Sequence, residues 1–168
     1  LSTVFYHGRI WYIVEMSNSD EIWNPGGIGG DLRHYNGNPN DGNYANAFAE
    51  MWKVIFRANL VLQNVPGIEM DATLRDNILG EAYFLRALQY FVLVNHFRNI
   101  PLVTEPAGSL AETQQSKVAP NLVWDQIKAD LTAAIPLLPT SWDATNKGRV
   151  MKGSASALLG KTHLYLEE

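Results

Sequence analysis

Glu81-Ala82-Tyr83-Phe84-Leu85-Arg86-Ala87-Leu88-Gln89-Tyr90-Phe91-Val92-Leu93-Val94 is the stretch that decides the fold. It holds two charges, Glu81 and Arg86, in an otherwise mostly apolar run. Ile78, Leu79, Ala82, Leu85, Leu88, Phe91, Val92 and Leu93 spread around a helix instead of forming one stripe. A helix apolar on most sides must be enclosed by neighbours. The spacing predicts it over Thr73 to Phe97. Thr73 and Asp76 have a capping-box spacing, Asp71 offers a competing cap, and Pro101 marks the end. Glu81 and Arg86 stand five apart, so they are offset around the helix and need not pair with each other. Each is expected to meet a partner from a neighbouring helix, because an unpaired buried charge is costly.

Helical periodicity continues outward on both sides. A helix is expected from Ala47 to Val65, with Phe48, Met51, Trp52, Ile55, Phe56, Leu62 and Val65 apolar on one face and Pro66-Gly67 as its stop. After a loop over Leu102 to Val118, Pro120 suits the first turn of another helix. Its stripe is Val123, Trp124, Ile127, Leu131, Ala134 and Ile135, closed by Pro136 and Pro139. A polar loop leads to a last helix from Val150, in which Gly153, Ser154, Ala155, Ser156, Ala157 and Gly160 suggest close approach of a neighbouring helix. That helix reads to the end of the chain without a stop signal, as expected of a piece of a longer protein. A short helix is also expected over Thr3 to Met16.

Between residues 18 and 46 the periodicity gives way to Gly, Asn, Asp and Pro. So long an irregular stretch is expected to be functional or disordered, and Trp23, Tyr35 and Tyr44 argue against plain disorder. No strand-like alternation of useful length occurs. The fold class is therefore all-α, a single helical domain over 1–168 built of tetratricopeptide-like hairpins with a long irregular Gly/Asn-rich loop. Trp52 and Ile55 recur as Trp124 and Ile127, an offset of 72 residues, about twice the tetratricopeptide period of ~34.

Composition narrows the function. The chain has 168 residues, 46% hydrophobic and 18% charged, which suits a globular domain with a real core. The net charge of −4 gives no basic stripe for nucleic acid. There is no cysteine, hence no disulfide, thiol nucleophile or Cys-ligated zinc. No apolar run is long enough to span a bilayer, and Leu1-Ser2-Thr3 does not open a signal peptide.

The helix block 81–94, followed by Phe97-Arg98-Asn99-Ile100-Pro101-Leu102-Val103-Thr104, resembles the SusD/RagB family. In that family an EA-x-FLRA helix leads through Y-F-x-L-V to an F-G-x-x-P-L-V-T exit. Tyr90, Phe91 and Pro101 fall on that pattern. Asp20-Glu21, then Trp52 with Arg57-Ala58-Asn59, then Gly148-Arg149 and Lys152-Gly153-x-Ala155-x-Ala157-Leu158-Leu159, are similar to further family motifs in the same order. Arg98 stands where the family has Gly, a departure that touches the turn after the helix. The resemblance implies a surface-exposed lipoprotein of the cell outer membrane in Bacteroidota-type bacteria. It implies starch or glycan binding without cleavage, a SusC-like TonB-dependent transporter as partner, and no cofactor. Members are commonly much longer, so this chain is expected to be the N-terminal part, with signal and lipid anchor upstream.

Glycan chemistry needs flat aromatics for sugar C–H faces and Asn, Asp or Arg for hydroxyls. Trp23, Arg33, Tyr35, Asn36, Asn38 and Tyr44 supply both on a loop, where binding groups tend to sit. The same aromatics would equally serve to pin a long loop to the helices. Asn36-x-Asn38-x-Asn40-Asp41-Gly42 is weakly similar to a calcium loop but has too few carboxylates, so no metal is expected. Adjacent Asp20 and Glu21 point different ways, whereas glycoside hydrolysis needs two carboxyl groups ~5–9 Å apart across a bond. His7, His34, His96 and His163 lack metal-site spacing. The expected function is non-catalytic capture of extracellular oligosaccharide for import. The alternative is a helical protein-interaction module with no glycan binding.

Overall fold

A computed structural model of the chain describes residues 42–106 and 115–167, with side chains from residue 45 onward. Among these, four α-helices follow one another: α1, Gly42–Asn64; α2, Ala72–Phe97; α3, Pro120–Leu137; and α4, Lys152–Leu166. Single 3₁₀ turns, Val65–Gly67 and Ala144–Asn146, sit in two of the connections. No strand forms among the described residues; one isolated bridge joins Pro101 to Lys117. The all-α class stands. The helix expected over residues 3–16, Asp20 and Glu21, and residues 18–41 of the Gly/Asn-rich stretch lie outside the described residues. The chain divides into two units within α1, one ending at Lys53 and the other beginning at Val54.

α1 begins at Gly42, five residues before the expected start. Gly and Asn are poor helix formers, but a helix nucleated on the apolar run from Ala47 extends upstream at the gain of one hydrogen bond per residue. Tyr44 therefore lies in the first turn of a helix and not in a loop. Ala47, Met51, Val54, Ile55, Ala58 and Asn59 are buried, at helical spacing. Phe56, expected on the apolar face, is 49% exposed instead.

α2 is capped by Asp71, whose carboxylate accepts from the Leu74 N–H at 2.8 Å. Asp71 wins over the Thr73–Asp76 capping box because the helix already starts at Ala72. From Gly80 to Val94 its buried residues cover about half of the helix surface, and none of the others is exposed, as an enclosed helix requires. α3 packs against both α2 and α4. Its buried residues, Val123, Ile127, Asp130, Leu131 and Ala134, keep the expected stripe with one charged exception. Pro120 occupies the first turn, where its missing N–H costs nothing. Pro136 lies inside the last turn of α3, so the helix runs one residue past it to Leu137. Burial repeats with the Trp/Ile pairs, since Ile55 and Ile127 are 1% and 0% exposed.

Close helix approach occurs at a different place from the one expected. A Cβ on Gly80 of α2 would stand 2.9 Å from Leu138 Cγ and 3.1 Å from Leu137 Cβ. In α4, Gly153 and Gly160 have nothing within 4 Å of that position. Of the small residues in α4 only Ala155 is buried, so its glycines face outward.

The turn after α2 departs from relaxed geometry. Arg98 has φ 60° and ψ −93°, while its N–H still closes the helix on the Val94 carbonyl at 3.0 Å. That conformation favours glycine. Arg98 carries the strain of this turn. Beyond it, the Val118 N–H bonds to the Ile100 carbonyl at 2.9 Å, tying the segment that leaves α2 to the one that enters α3. No helix among the described residues is long and apolar enough to cross a membrane.

Candidate functional site

The buried polar residues Asn59 and Asp130 converge on Arg86. Its side chain is buried, reached from α1 by Asn59, from α3 by Asp130 and from the segment after α2 by Thr104. Nε donates to Asp130 Oδ2 at 2.8 Å and Nη2 to Asp130 Oδ1 at 2.6 Å. Nη1 donates to Asn59 Oδ1 and to the Thr104 carbonyl, both at 2.9 Å. Gln126 adds a third donor to the Asp130 carboxylate, reaching Oδ1 at 2.8 Å. Burial opposes the guanidinium charge, yet the Asp130 hydrogen bonds and charge outweigh it and hold the Arg86 pKa above its ordinary value.

Two neighbours extend the cluster along the chain leaving α2. Asn59 Nδ2 donates to the Val103 carbonyl at 2.9 Å. The Tyr90 hydroxyl donates to that same carbonyl and accepts from the Val103 N–H, each at 2.8 Å. Burial pushes the Tyr90 phenol up to about 12. Asn59, Arg86, Tyr90 and the exit from Pro101 to Thr104 thus form one hydrogen-bonded unit. All are positions of the SusD/RagB-like pattern.

Beside this cluster opens a pocket of about 440 Å³ lined by Asn59, Leu62, Gln63, Tyr83, Arg86, Thr104, Glu105 and Pro106. The Arg86 guanidinium stands 5.6 Å from the Tyr83 ring centroid. The pocket walls are mostly polar, with Leu62 and Pro106 as the apolar part.

Glu81 meets its partner elsewhere. Arg149, on the connection between α3 and α4, places Nε 2.8 Å from Glu81 Oε1 and Nη2 3.1 Å from Oε2. The same guanidinium lies 4.0 Å from the Trp142 ring centroid and bonds Asn146 Oδ1 at 3.0 Å. The partner expected from a helix comes from a connection instead. Phe91 is buried and meets Trp124 and Tyr165 edge-on, with ring centroids at 5.5 and 5.2 Å. Lys152 opens α4 as an exposed residue and Trp52 is half-buried.

Of the six residues proposed from sequence to contact ligand, Trp23, Arg33, Tyr35, Asn36 and Asn38 lie outside the described residues, and Tyr44 is placed by its backbone alone. Asp130 and Gln126 carry no motif in the sequence, and Arg149 stands there in the family-like Gly148-Arg149 pair with nothing to mark it as the partner of Glu81. Asp130 did leave a signal, since a charge one position before Leu131 falls inside the apolar stripe of α3 and needs a buried partner.

The profile of the SusD-like family described as "Starch-binding associating with outer membrane" matches residues 13–166. Two curated SusD-like proteins of Formosa agariphila are 31% and 26% identical to it, each over 121 residues, which are 71% of this chain and 23% of either relative. Among solved structures, a laminarin-binding SusD-like protein is 37% identical with a TM-score of 0.70, covering 83% of this chain and 30% of that one. A SusD superfamily protein of Parabacteroides distasonis is 28% identical with a TM-score of 0.75, at the same coverage. The chain thus spans about a quarter of the curated relatives it matches, 23% of each. With Asn59, Tyr90 and the exit to Thr104 gathered around Arg86 and the family profile matched almost end to end, the chain belongs to the SusD-like family.

Proposed function

We propose that the protein captures extracellular oligosaccharide for import and does not cleave it. The helices α1–α4 act as scaffold, and the Gly/Asn-rich stretch before them, with Trp23, Arg33, Tyr35, Asn36 and Asn38, supplies ligand contacts together with Tyr44 in the first turn of α1. The observation that carries this reading is the likeness to a laminarin-binding relative over most of this chain. The core chemistry agrees with a scaffold role. Arg86 bonds Asp130 and Asn59, and Asn59 and Tyr90 both donate to the Val103 carbonyl, a connected network that rigidifies the packing of the helices.

In this reading the protein works at the cell surface of the outer membrane, held by a lipid anchor upstream of Leu1, and hands its ligand to a SusC-like TonB-dependent transporter. Stacked helical hairpins suit such a partnership because they offer an extended surface. The test is calorimetry on the complete protein with Trp23→Ala and Tyr35→Ala. Loss of stacking should weaken oligosaccharide binding at least tenfold for the pair. An unaltered Kd removes both residues from the site.

A further inference from the structure

The pocket beside Arg86 carries polar groups that the scaffold does not use. Gln63, Tyr83 and Glu105 line it, and among the described residues no side-chain hydrogen bond ties up their polar ends. Together they offer donors and acceptors at several points around one cavity, while Leu62 and Pro106 supply an apolar wall. At about 440 Å³ the cavity falls within the usual span of small-molecule sites, roughly 300–1,000 Å³.

Its charge is as informative as its shape. Among the described residues that line it, Arg86 is the only cation, and that charge is committed: Nε and Nη2 to Asp130, Nη1 to Asn59 and the Thr104 carbonyl. Among the described lining residues an anionic ligand would find no uncommitted cation, and it would face Glu105. A polyhydroxylated neutral ligand suits every wall, because its hydroxyls both donate and accept and its C–H groups match Leu62 and Pro106.

We infer that this pocket is a subsite for an uncharged sugar ring, with Gln63, Tyr83 and Glu105 holding its hydroxyls, and that it discriminates against uronic-acid and sulfated rings. The inference rests on the glycan-capture reading and adds to it a place and a ligand class. The measurement is calorimetry of the complete protein with a neutral gluco-oligosaccharide and with an oligouronate of equal length. The neutral ligand should bind at least tenfold tighter. Gln63→Ala and Glu105→Ala, both at exposed positions, should weaken it at least fivefold with an unchanged melting temperature. Glu105→Gln should keep the neutral affinity within twofold and narrow the discrimination. Neutral binding that ignores Gln63→Ala and Glu105→Ala overturns the subsite and leaves glycan capture standing. Preference for the uronate overturns the charge argument and the inference with it. Absence of binding to either ligand overturns both readings.

Discussion

Arg86 and Asp130, 44 positions apart, meet as a two-pronged ion pair at 2.6 and 2.8 Å with both side chains almost sealed from water. This pair fastens α2 to α3, and Asn59 extends the fastening to α1. Removing one partner strands the other as a buried charge, which costs ~3–5 kcal/mol. Arg86→Ala and Asp130→Ala should each lower the melting temperature strongly. Arg86→Met with Asp130→Leu should lose far less than the two single changes added together. A double-mutant cycle by thermal denaturation reads this directly. Single changes within error of wild type would contradict the structural role.

Arg98 holds a backbone conformation that glycine adopts freely. Arg98→Gly relieves strain of about 1 kcal/mol without removing the bond from its N–H to the Val94 carbonyl. The variant should be more stable in urea, with an unchanged slope of free energy on denaturant. A loss of stability would mean that the Arg98 side chain contributes more than its backbone costs.

Two glycines should respond in opposite directions to the same substitution. Gly160 sits inside α4 with open space where a Cβ would go, so Gly160→Ala should add ~0.5–1 kcal/mol from helix propensity. Gly80 meets the body of Leu138 at 2.9 Å. There the overpacking outweighs the same propensity gain, and Gly80→Ala should lower stability by about 1 kcal/mol. Both values come from urea titrations followed by circular dichroism.

Tyr90 gives the fold an alkaline limit. Folded, its phenol holds its proton up to about 12 because it is buried, whereas an unfolded tyrosine releases it near ~10. The stabilisation is therefore complete below pH ~10 and is lost as pH climbs toward ~12. Tyrosinate absorbance should show one tyrosine titrating late, and Tyr90→Phe should abolish that step. A wild-type profile with no late tyrosine would contradict the burial.

The sequence told much of this, and its silences have physical causes. The enclosed helix α2, the stripe of α3, the proline at its start and the stop at Pro66 all follow from periodicity and backbone chemistry. So did the need of Arg86 for a partner, because a charge in an apolar run must be compensated. The identity of that partner was hidden, since Asp130 lies on another helix and only folding brings the two together. The close contact of Gly80 with Leu138 was hidden for the same reason. Small residues in α4 drew attention by number, although what matters is which face they occupy. The early start of α1 reflects cooperative extension, which residue propensities do not reveal.

The central claim is that the protein holds oligosaccharide intact. The most direct measurement mixes the complete protein with a neutral gluco-oligosaccharide, follows binding by calorimetry, and then sizes the recovered ligand by chromatography. The account predicts saturable heat and ligand of unchanged length after prolonged incubation. Shortened ligand, or no heat with any oligosaccharide offered, would contradict it.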